Sequence, residues 1–372
     1  MAEFVFFHRS LSPHAVPLAR ALAKRGYRVR VVVIEELTQG RLALGWERPE
    51  VSGLEVIRLE PTVSRQEIRA LLAPSGTHLL QGLPRWGILR RIHKELARSG
   101  VVFGSIMEQV DDRGLQGSIK RLEYALRLRG RLKPRFILGI GTCASSWFER
   151  RSAGRQEIYP FAYFLEDHSM ALLKREESSV FRIGYVGQLV PGKRVDLLLE
   201  ALGRLRSSNA QLVVIGRGSL EGSLRAQAQV IASTTRIEWR GVVPLREMGE
   251  QMQSLDVLVL PSDYDGWGAV ISEAMAVGVP VICSSACGAS VAVDKAPYGA
   301  VFERGSVESL QGKLAEMVKR GPLEMDARIQ LGIWARCLNA SSGARYLEEI
   351  VRHLDEPLSP RPAVPWEATK RQ

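Results

Sequence analysis

The stretch from Pro261 to Cys283 reads PSDYDGWGAVISEAMAVGVPVIC, and the apolar run DVLVL lies directly before it. That run is typical of a short buried strand, and after the glycine-containing turn apolar residues recur at helical spacing. Gly278 is placed to end the helix, and PVIC resumes a buried strand. The stretch therefore predicts a strand–loop–helix–strand unit of a parallel sheet, with its loop at the carboxyl edge where open α/β folds bind ligands.

The loop at the start of this predicted helix is suited to a phosphate group. Gly266 and Gly268 carry no side chain, which leaves room for a ligand to approach the main chain. The N–H groups of Gly268, Ala269 and Val270 open the helix, where main-chain amides have no partner within the helix itself. These amides and the helix dipole together predict an anion site.

Two acidic residues bracket the loop. Asp265 lies within it, and Glu273, eight residues further on, falls in the second turn of the predicted helix. A carboxylate at that depth can accept hydrogen bonds from sugar hydroxyls such as a ribose diol. The alternative is a core helix with a solvated acid at each end, and for Glu273 taken alone both interpretations stay open.

The same stretch resembles the donor-site signature of the retaining glycosyltransferases of family 4, the group 1 transferases. In that signature an acidic residue, seven further residues and a glutamate precede the pattern Ala-(Met/Leu)-Ala-x-Gly-x-Pro-Val. Glu273 matches the second acid, and Asp265 stands where most members have glutamate. The run from Asp265 to Gly268 is similar to a form found among members that assemble polysaccharides.

The resemblance implies an α/β chain of GT-B fold, with two Rossmann-like domains facing across a cleft. Apolar strands recur near residues 183, 212, 237, 257 and 279 with helices between most of them, which is the rhythm of a parallel sheet. We expect an acceptor-side domain over 1–175 and a nucleotide-sugar-binding domain over 176–355, divided near the polar run KREESS. A helix over 344–354 is expected to return to the first domain, and the proline-rich tail over 356–372 is not expected to fold.

Further residues of the second half match donor-binding segments of the resembling family. Lys193 follows a strand that closes on Gly187, and the resemblance assigns its ammonium to the diphosphate, with Gln188 in place of the usual arginine. Glu273 would hold the ribose, Asp265 the hydroxyls of the donor sugar, and the loop amides the leaving phosphate. The predicted donor-binding residues are Gln188, Lys193, Gly216, Arg217, Val243, Gly266, Trp267, Gly268, Ala269, Val270 and Glu273.

Two of these positions rest on shorter patterns. The turn Gly216-Arg217-Gly218 resembles the family's Ile-Gly-x-Gly segment that lines the nucleotide, although a lone Gly-x-Gly is a weak signal. Val243 lies in a strand and turn that resemble the segment flanking the base.

The first half offers fewer functional residues. His8, Arg9 and Ser10 lie where the first strand is predicted to end, in a loop that faces the acceptor in the resembling family. Met107 or Glu108 occupies the end of a later strand, where many members carry a histidine that contacts the donor sugar. Glu108 is the candidate acceptor base, and a surface acid at a strand end is the simpler interpretation.

The positive charge is concentrated in the first half. Residues 1–178 contain 29 lysines and arginines against 19 acidic residues, whereas residues 179–372 contain 22 against 21. The stretch 118–135, SIKRLEYALRLRGRLKPR, combines apolar residues at helical spacing with dense positive charge and predicts contact with an anionic membrane surface. The alternative is a packed helix with a solvated basic face. Binding of nucleic acid is disfavoured, because the stretch lacks interleaved stacking aromatic residues.

Composition argues against several other classes of protein. No run approaches the roughly 20 apolar residues of a membrane span, and the N-terminus lacks the pattern of a signal peptide. Four cysteines without a histidine cluster do not predict a zinc site. We therefore expect a cytoplasmic protein, either free or peripheral at the inner face of the cell membrane.

The leading hypothesis is a retaining hexosyltransferase that uses a UDP or GDP sugar and needs neither a metal ion nor a cofactor. The acceptor would be a glycan or a lipid-linked sugar in the assembly of a cell-surface polysaccharide, and Asp265 and Glu108 are the candidate catalytic residues. Metal independence is expected because the helix start and Lys193 can neutralise the diphosphate. The alternative is a non-catalytic GT-B subunit that binds a nucleotide sugar or a partner transferase.

Overall fold

The computed structural model describes residues 3–43, 45–108, 110–112, 114–166, 180–205, 209–231 and 235–368. The chain divides into two compact units. The first comprises Met1–Thr38, Arg48–Asp167 and Leu338–Ala368, and the second comprises Gln39–Glu47, His168–Cys337 and Thr369–Gln372. The predicted boundary in KREESS, residues 174–179, lies outside the described residues.

Each unit is built on one parallel sheet. The strands of the first sheet are β1 (Glu3–His8), β2 (Arg28–Val33), β3 (Glu55–Arg58), β4 (Thr77–Gln81), β5 (Phe103–Glu108), β6 (Phe136–Ile140) and β7 (Glu157–Phe161). Those of the second are β8 (Phe181–Val186), β9 (Ala210–Ile215), β10 (Arg236–Gly241), β11 (Val257–Leu260), β12 (Val281–Ser284) and β13 (Ala300–Phe302). The strand orders are β3-β2-β1-β4-β5-β6-β7 and β10-β9-β8-β11-β12-β13. Two Rossmann-like sheets are thus confirmed.

Helices follow most of the strands. In chain order they are α1 (Val16–Lys24), α2 (Gln39–Leu42), α3 (Arg65–Ala70), α4 (Gly87–Ser99), α5 (Gly114–Arg129), α6 (Ala144–Ser152), α7 (Val195–Leu205), α8 (Glu221–Ile231), α9 (Leu245–Gln253), α10 (Ala269–Ala276), α11 (Ser290–Val293), α12 (Val307–Arg320), α13 (Met325–Ala335), α14 (Ala340–Asp355) and α15 (Pro365–Ala368). None of the helices in the described part of the chain combines the length and apolarity needed to cross a membrane.

The second sheet follows from strands that are apolar throughout. β9 and β11 are buried along their whole length, as a sheet covered by helices on both faces requires. Parallel pairing places the carboxyl ends of β8 and β11 side by side. The order of strands reverses between these two, so the loops that follow them meet at the switch point where such sheets bind ligands.

The C-terminal region differs from its prediction. Residues 338–368 belong to the first unit, so the helix predicted over 344–354 returns to the first domain as expected, but the second domain does not extend to residue 355. Gly343 of α14 lies against Phe164, whose ring is 2.4 Å from where a Cβ on Gly343 would stand. The expectation of an unfolded tail is wrong for residues 356–368, because Trp366 is buried and Arg361 binds the carboxylate of Glu157 on β7.

A segment of the first half belongs to the second unit. Residues 39–47 lie beside the loop after β10, where the N–H of Leu245 donates to the carbonyl of Gly45 at 3.3 Å. Arg246 and Glu47 form an ion pair in the same place. The expectation that residues 1–175 form a single domain is therefore wrong for this segment.

Candidate functional site

Two residues that were predicted to bind the donor nucleotide sugar meet at the switch point of the second sheet. Lys193 lies in the loop after β8 and Asp265 in the loop after β11, and Lys193 Nζ is 2.5 Å from Asp265 Oδ2. The N–H of Asp263 donates to the carbonyl of Gly192 at 2.9 Å and holds the two loops together. The sequence predicted both charged residues at this site but not that they pair with each other.

A second ion-pair cluster lies beside the first and was missed by the sequence analysis. The Asp263 carboxylate binds Arg194 at 3.2 Å and lies 3.6 Å from Arg304. Asp263 and Asp265 have the i, i+2 spacing at which two carboxylates can share a metal ion, and this pattern was the available signal. In the structure each of these carboxylates is neutralised by a cationic side chain instead.

The start of α10 presents main-chain amides as the sequence predicted. The N–H groups of Gly268, Ala269 and Val270 donate to no atom of the described residues, and no side chain caps this helix. At Gly268 the fold itself gives a second reason for glycine, in addition to the predicted room for a ligand. Its φ of 87° is left-handed, and a Cβ would stand 2.9 Å from Leu260 and 3.1 Å from Ile271. Glycine is needed there by the fold, whether or not a ligand is bound.

The buried side chain of Trp267 holds the loop after β11 in place. Its indole is buried, and Nε1 donates to Ser272 Oγ at 3.0 Å. Its carbonyl accepts the N–H of Ala289 at 2.8 Å, and the carbonyl of Asp265 accepts that of Gly288 at 3.0 Å. Because the indole is buried, the predicted contact of Trp267 with the donor could involve only its main chain. The indole and these two bonds fix the path of the main chain that carries Asp265, Gly266 and the amides.

Glu273 has an unusual electrostatic environment. The residue is partly exposed, but protein atoms surround the carboxyl group, and this burial raises its pKa to about 7. Among the described residues no side chain or amide donates a hydrogen bond to it. A carboxylate left without donors in such a place costs free energy, and ligand hydroxyls would relieve that cost.

The glycine turn of residues 216–218 crosses the loop after β8. A Cβ on Gly216 would lie 1.9 Å from the carbonyl oxygen of Gly187, and one on Gly218 would lie 2.2 Å from that of Leu189. Glycine is thus required by contact between the two loops. Arg217 and Gln188 have exposed side chains beside this crossing, so both remain available to a ligand.

Val243 contacts another part of its own unit. Its carbonyl oxygen is 2.7 Å from where a Cβ on Gly45 would stand. Gly45 therefore borders the position that was predicted to flank the base, and no pattern in the sequence indicated this neighbour.

The first unit has its own group of polar residues at the carboxyl edge. Glu108, at the end of β5, accepts a hydrogen bond from the Tyr163 hydroxyl. His8 is buried at the end of β1, which lowers its pKa to about 4, so the ring is neutral at physiological pH. The Arg9 N–H donates to Gln81 Oε1 at 2.8 Å, and the Arg9 side chain pairs with Glu35. Ser10 is partly buried in the loop that follows.

Comparison with protein families finds one match. The model of the family described as "Glycosyl transferases group 1" matches residues 173–330. That segment contains the loops after β8, β9 and β11 and the whole of α10.

Two curated proteins illustrate the relationship in sequence. The GDP-mannose-dependent monoacylated alpha-(1-6)-phosphatidylinositol monomannoside mannosyltransferase of Corynebacterium glutamicum is 31% identical over 140 residues, 35% of this chain and 36% of that protein. The capsular polysaccharide biosynthesis glycosyltransferase CapM of Staphylococcus aureus is 27% identical over 187 residues, 49% of this chain and 45% of CapM. The aligned region thus spans less than half the length of either relative.

Solved structures match over most of the chain. Anabaena Alr3699/HepE in complex with UDP and glucose has a TM-score of 0.65 and 14% identity, covering 94% of this chain and 99% of that one. The lipopolysaccharide outer core galactosyltransferase WaaB in its apo form has a TM-score of 0.69 at 14% identity, with the same coverage. At this level of identity the likeness is one of fold.

Proposed function

We propose that this protein transfers a sugar from a nucleoside diphosphate sugar with retention of anomeric configuration, because residues 173–330 match the model of the group 1 glycosyl transferases and the chain shares the fold of a solved galactosyltransferase. The observation that carries the proposal is the arrangement at the β8–β11 switch point. There the ammonium of Lys193 lies on the loop after β8, and helix α10 of the same unit carries three unpartnered amides at its start and a carboxylate without donors in its second turn.

The diphosphate would bind between Lys193 and the start of α10. An ammonium has three N–H donors, and Asp265 occupies one of them, so two remain for phosphate oxygens. The amides of Gly268 to Val270 would receive the leaving phosphate as its negative charge develops. Preorganised amides of this kind are a main source of transition-state stabilisation.

Glu273 would accept hydrogen bonds from the two hydroxyls of the ribose. Two hydroxyl donors would supply what this carboxylate lacks in the free protein, and they would favour its ionised form. Asp265 would hold hydroxyls of the donor sugar while keeping Lys193 in position. UDP and GDP sugars are both candidate donors, because HepE was crystallised with UDP and a relative is GDP-mannose-dependent.

The acceptor is proposed to be a glycan or a lipid-linked sugar of a cell-surface polysaccharide, handled at the cytoplasmic side of the membrane. CapM is described as a capsular polysaccharide enzyme, and the Corynebacterium relative acts on a phosphatidylinositol mannoside, which supports this class. Glu108 is the candidate base for the acceptor hydroxyl. The Tyr163 hydroxyl, which donates to it, would orient the carboxylate.

No metal ion is required in this mechanism, because Lys193 and the amides neutralise the diphosphate. Among the described residues no three His, Cys, Asp or Glu side chains are grouped to hold a metal. Metal independence remains part of the proposal.

The test is transfer of radiolabelled sugar from UDP and GDP sugars into lipid and glycan fractions, with binding of UDP and GDP measured separately by calorimetry. We expect turnover with one donor class and loss of nucleotide binding in Glu273→Gln. Nucleotide binding without turnover would instead favour a non-catalytic subunit. The exposed amide of Gln188, at the position where the family usually has a cationic arginine, is the observation that keeps that alternative open.

A further inference from the structure

Helix α5 turns its apolar side outward. Leu115, Ile119, Leu122 and Leu126 are 88%, 67%, 65% and 66% exposed. Their spacing of four, three and four residues places them in one line along the helix. With a rise of about 1.5 Å per residue, the line is about 16 Å long. We call these four residues the apolar stripe.

The orientation of the stripe is fixed by the opposite side of the helix. Gly117 and Leu128 are buried there. A Cβ on Gly117 would lie 1.6 Å from the carbonyl oxygen of Asp112, so the helix backbone rests directly on the preceding loop. Rotation that would hide the stripe would have to break this contact.

Trp86 extends the apolar surface. It is 76% exposed at the start of α4. Its neighbour Arg85 pairs with Glu123 of α5, and Arg127 Nη2 donates to the Pro84 carbonyl at 2.9 Å. These bonds hold the segment before Trp86 against α5. Tryptophan, apolar with one polar N–H, is enriched where a protein meets the interface of a bilayer.

The charge around the stripe favours an anionic partner. Residues 118–135 contain seven basic side chains and one acid, Glu123, which is neutralised by Arg85 and Arg127. Arg129, Arg131 and Lys133 are exposed where the helix ends. A second copy of this chain packed face to face would bring the same basic residues together, because a two-fold interface uses the same patch twice.

We propose that α5 and Trp86 bind an anionic lipid bilayer, with the apolar stripe inserted at the boundary between headgroups and acyl chains. Arg129, Arg131 and Lys133 would lie among the headgroup phosphates. The proposal stands independently of glycosyl transfer, since it concerns the surface of the first unit alone.

The position of this surface also suits an acceptor held in the membrane. Trp86 follows β4 and Leu115 follows β5, so both lie towards the carboxyl edge of the first sheet. Glu108, the last residue of β5, lies at that same edge. A lipid-linked acceptor would reach this edge without leaving the bilayer.

The structure changes which residues should be tested. From the sequence, neutralising Arg127, Arg129 and Arg131 is expected to weaken binding to anionic vesicles. Arg127 is mostly buried and bonded to Glu123 and Pro84, so replacing it would disturb the packing of α5. The stripe itself is the better target, because its side chains contribute little to the folded core.

The experiment is co-sedimentation of the full chain with vesicles, without substrate. Vesicles of equal parts phosphatidylglycerol and phosphatidylcholine are compared with vesicles of phosphatidylcholine alone. The test variant is Ile119→Ser with Leu122→Ser. The matched control is Val230→Ser with Leu358→Ser, which removes two apolar side chains that are 81% and 102% exposed elsewhere on the chain.

We expect wild type and control to bind the anionic vesicles equally, and the test variant to bind at least about tenfold more weakly. Arg129→Gln with Arg131→Gln should weaken binding to anionic vesicles only. Equal binding by the test variant, or no sedimentation of wild type, would overturn the proposal. The proposal would also be overturned if vesicle binding were absent and ultracentrifugation without lipid showed a concentration-dependent dimer that the test variant does not form.

Discussion

Replacing Glu273 with glutamine should stabilise the free protein at alkaline pH and at the same time abolish binding of UDP and GDP. Burial raises the pKa of this carboxyl from its ordinary 4.5 to about 7. Ionising it at pH 8 therefore costs the folded protein about 3 kcal/mol relative to the unfolded chain. The site residue is thus predicted to oppose folding while it serves binding.

The sign of the pH dependence follows from the two pKa values. Between pH 4.5 and about 7 the folded protein keeps the proton on Glu273 whereas the unfolded chain has released it. The free energy of unfolding contributed by this group therefore falls as pH rises through that window. Glutamine carries no charge, so the advantage of Glu273→Gln should be near zero at pH 4.5 and largest above pH 7.

The affinity for nucleotide should depend on pH in the opposite direction to the free energy of unfolding. Ribose hydroxyls donate to the ionised carboxylate and lower its pKa, so nucleotide binding below pH 7 should release a proton. Affinity should then fall by up to about tenfold for each pH unit below 7. The assay is calorimetry in two buffers of different ionisation enthalpy, together with denaturant unfolding of the same proteins. Glu250→Gln, at an exposed position of the same unit, is the control.

Two results would refute this reasoning. Unchanged nucleotide affinity in Glu273→Gln would remove the residue from the donor site. Binding without proton release, or with the same pH dependence in wild type and variant, would show that Glu273 is a buried acid that ligand hydroxyls do not reach. If the variant were more stable but bound nucleotide as wild type does, the raised pKa of Glu273 would be supported and its assignment to the ribose would be wrong.

Further predictions concern the rest of the site and the fold. Lys193→Gln should weaken UDP or GDP binding but not nucleoside binding in calorimetry, whereas Asp265→Asn should retain nucleotide binding and lose transfer. If Lys193→Gln lost equal affinity for the nucleoside and for the nucleoside diphosphate, the assignment of Lys193 to the diphosphate would be wrong. Gly216→Ala should lower unfolding stability by at least about 2 kcal/mol, and Gly192→Ala, which meets nothing within 4 Å, should not. Trp366→Ala should cost about 3–5 kcal/mol if the C-terminal region is part of the core, and a neutral effect would restore the unfolded tail. Turnover should survive EDTA, and magnesium-dependent recovery of lost activity would show that the metal-free mechanism is wrong.

Local patterns in the sequence were sufficient for five of the six described strands of the second sheet, but β13 was not predicted. The strands predicted near 183, 212, 237, 257 and 279 are β8 to β12, because each is a short apolar run bounded by turn residues. The free amides at the start of α10 were predictable for a different local reason, because the first N–H groups of any helix have no partners inside the helix.

What the sequence did not predict depends on partners distant in the chain. Gly268 was interpreted as space for a ligand, but a Cβ there would also meet the side chain of Leu260, and a Cβ on Gly216 would meet the carbonyl oxygen of Gly187. The pairing of Lys193 with Asp265 joins residues 72 positions apart. Trp366 is buried in a unit whose two other segments, Met1–Thr38 and Arg48–Asp167, lie far from it in sequence. Neither periodicity nor composition carries that information.

The two sheets share a strand order at their switch points, but their described loops differ in chemistry, and we propose that the second one binds the nucleotide. In the first sheet the carboxyl ends of β1 and β4 carry His8, which is buried and neutral with a pKa of about 4, and Gln81. Neither supplies a positive charge to a diphosphate. At the corresponding place in the second sheet, Lys193 and the amides of α10 supply positive charge, and Glu273 lacks hydrogen-bond donors. Fold topology provides the same kind of switch point twice, and we propose that Lys193, the amides at the start of α10 and Glu273 direct the donor to the second one. If UDP or GDP protected the amides after β1 from hydrogen exchange but not those of Gly268 to Val270, this assignment would be reversed.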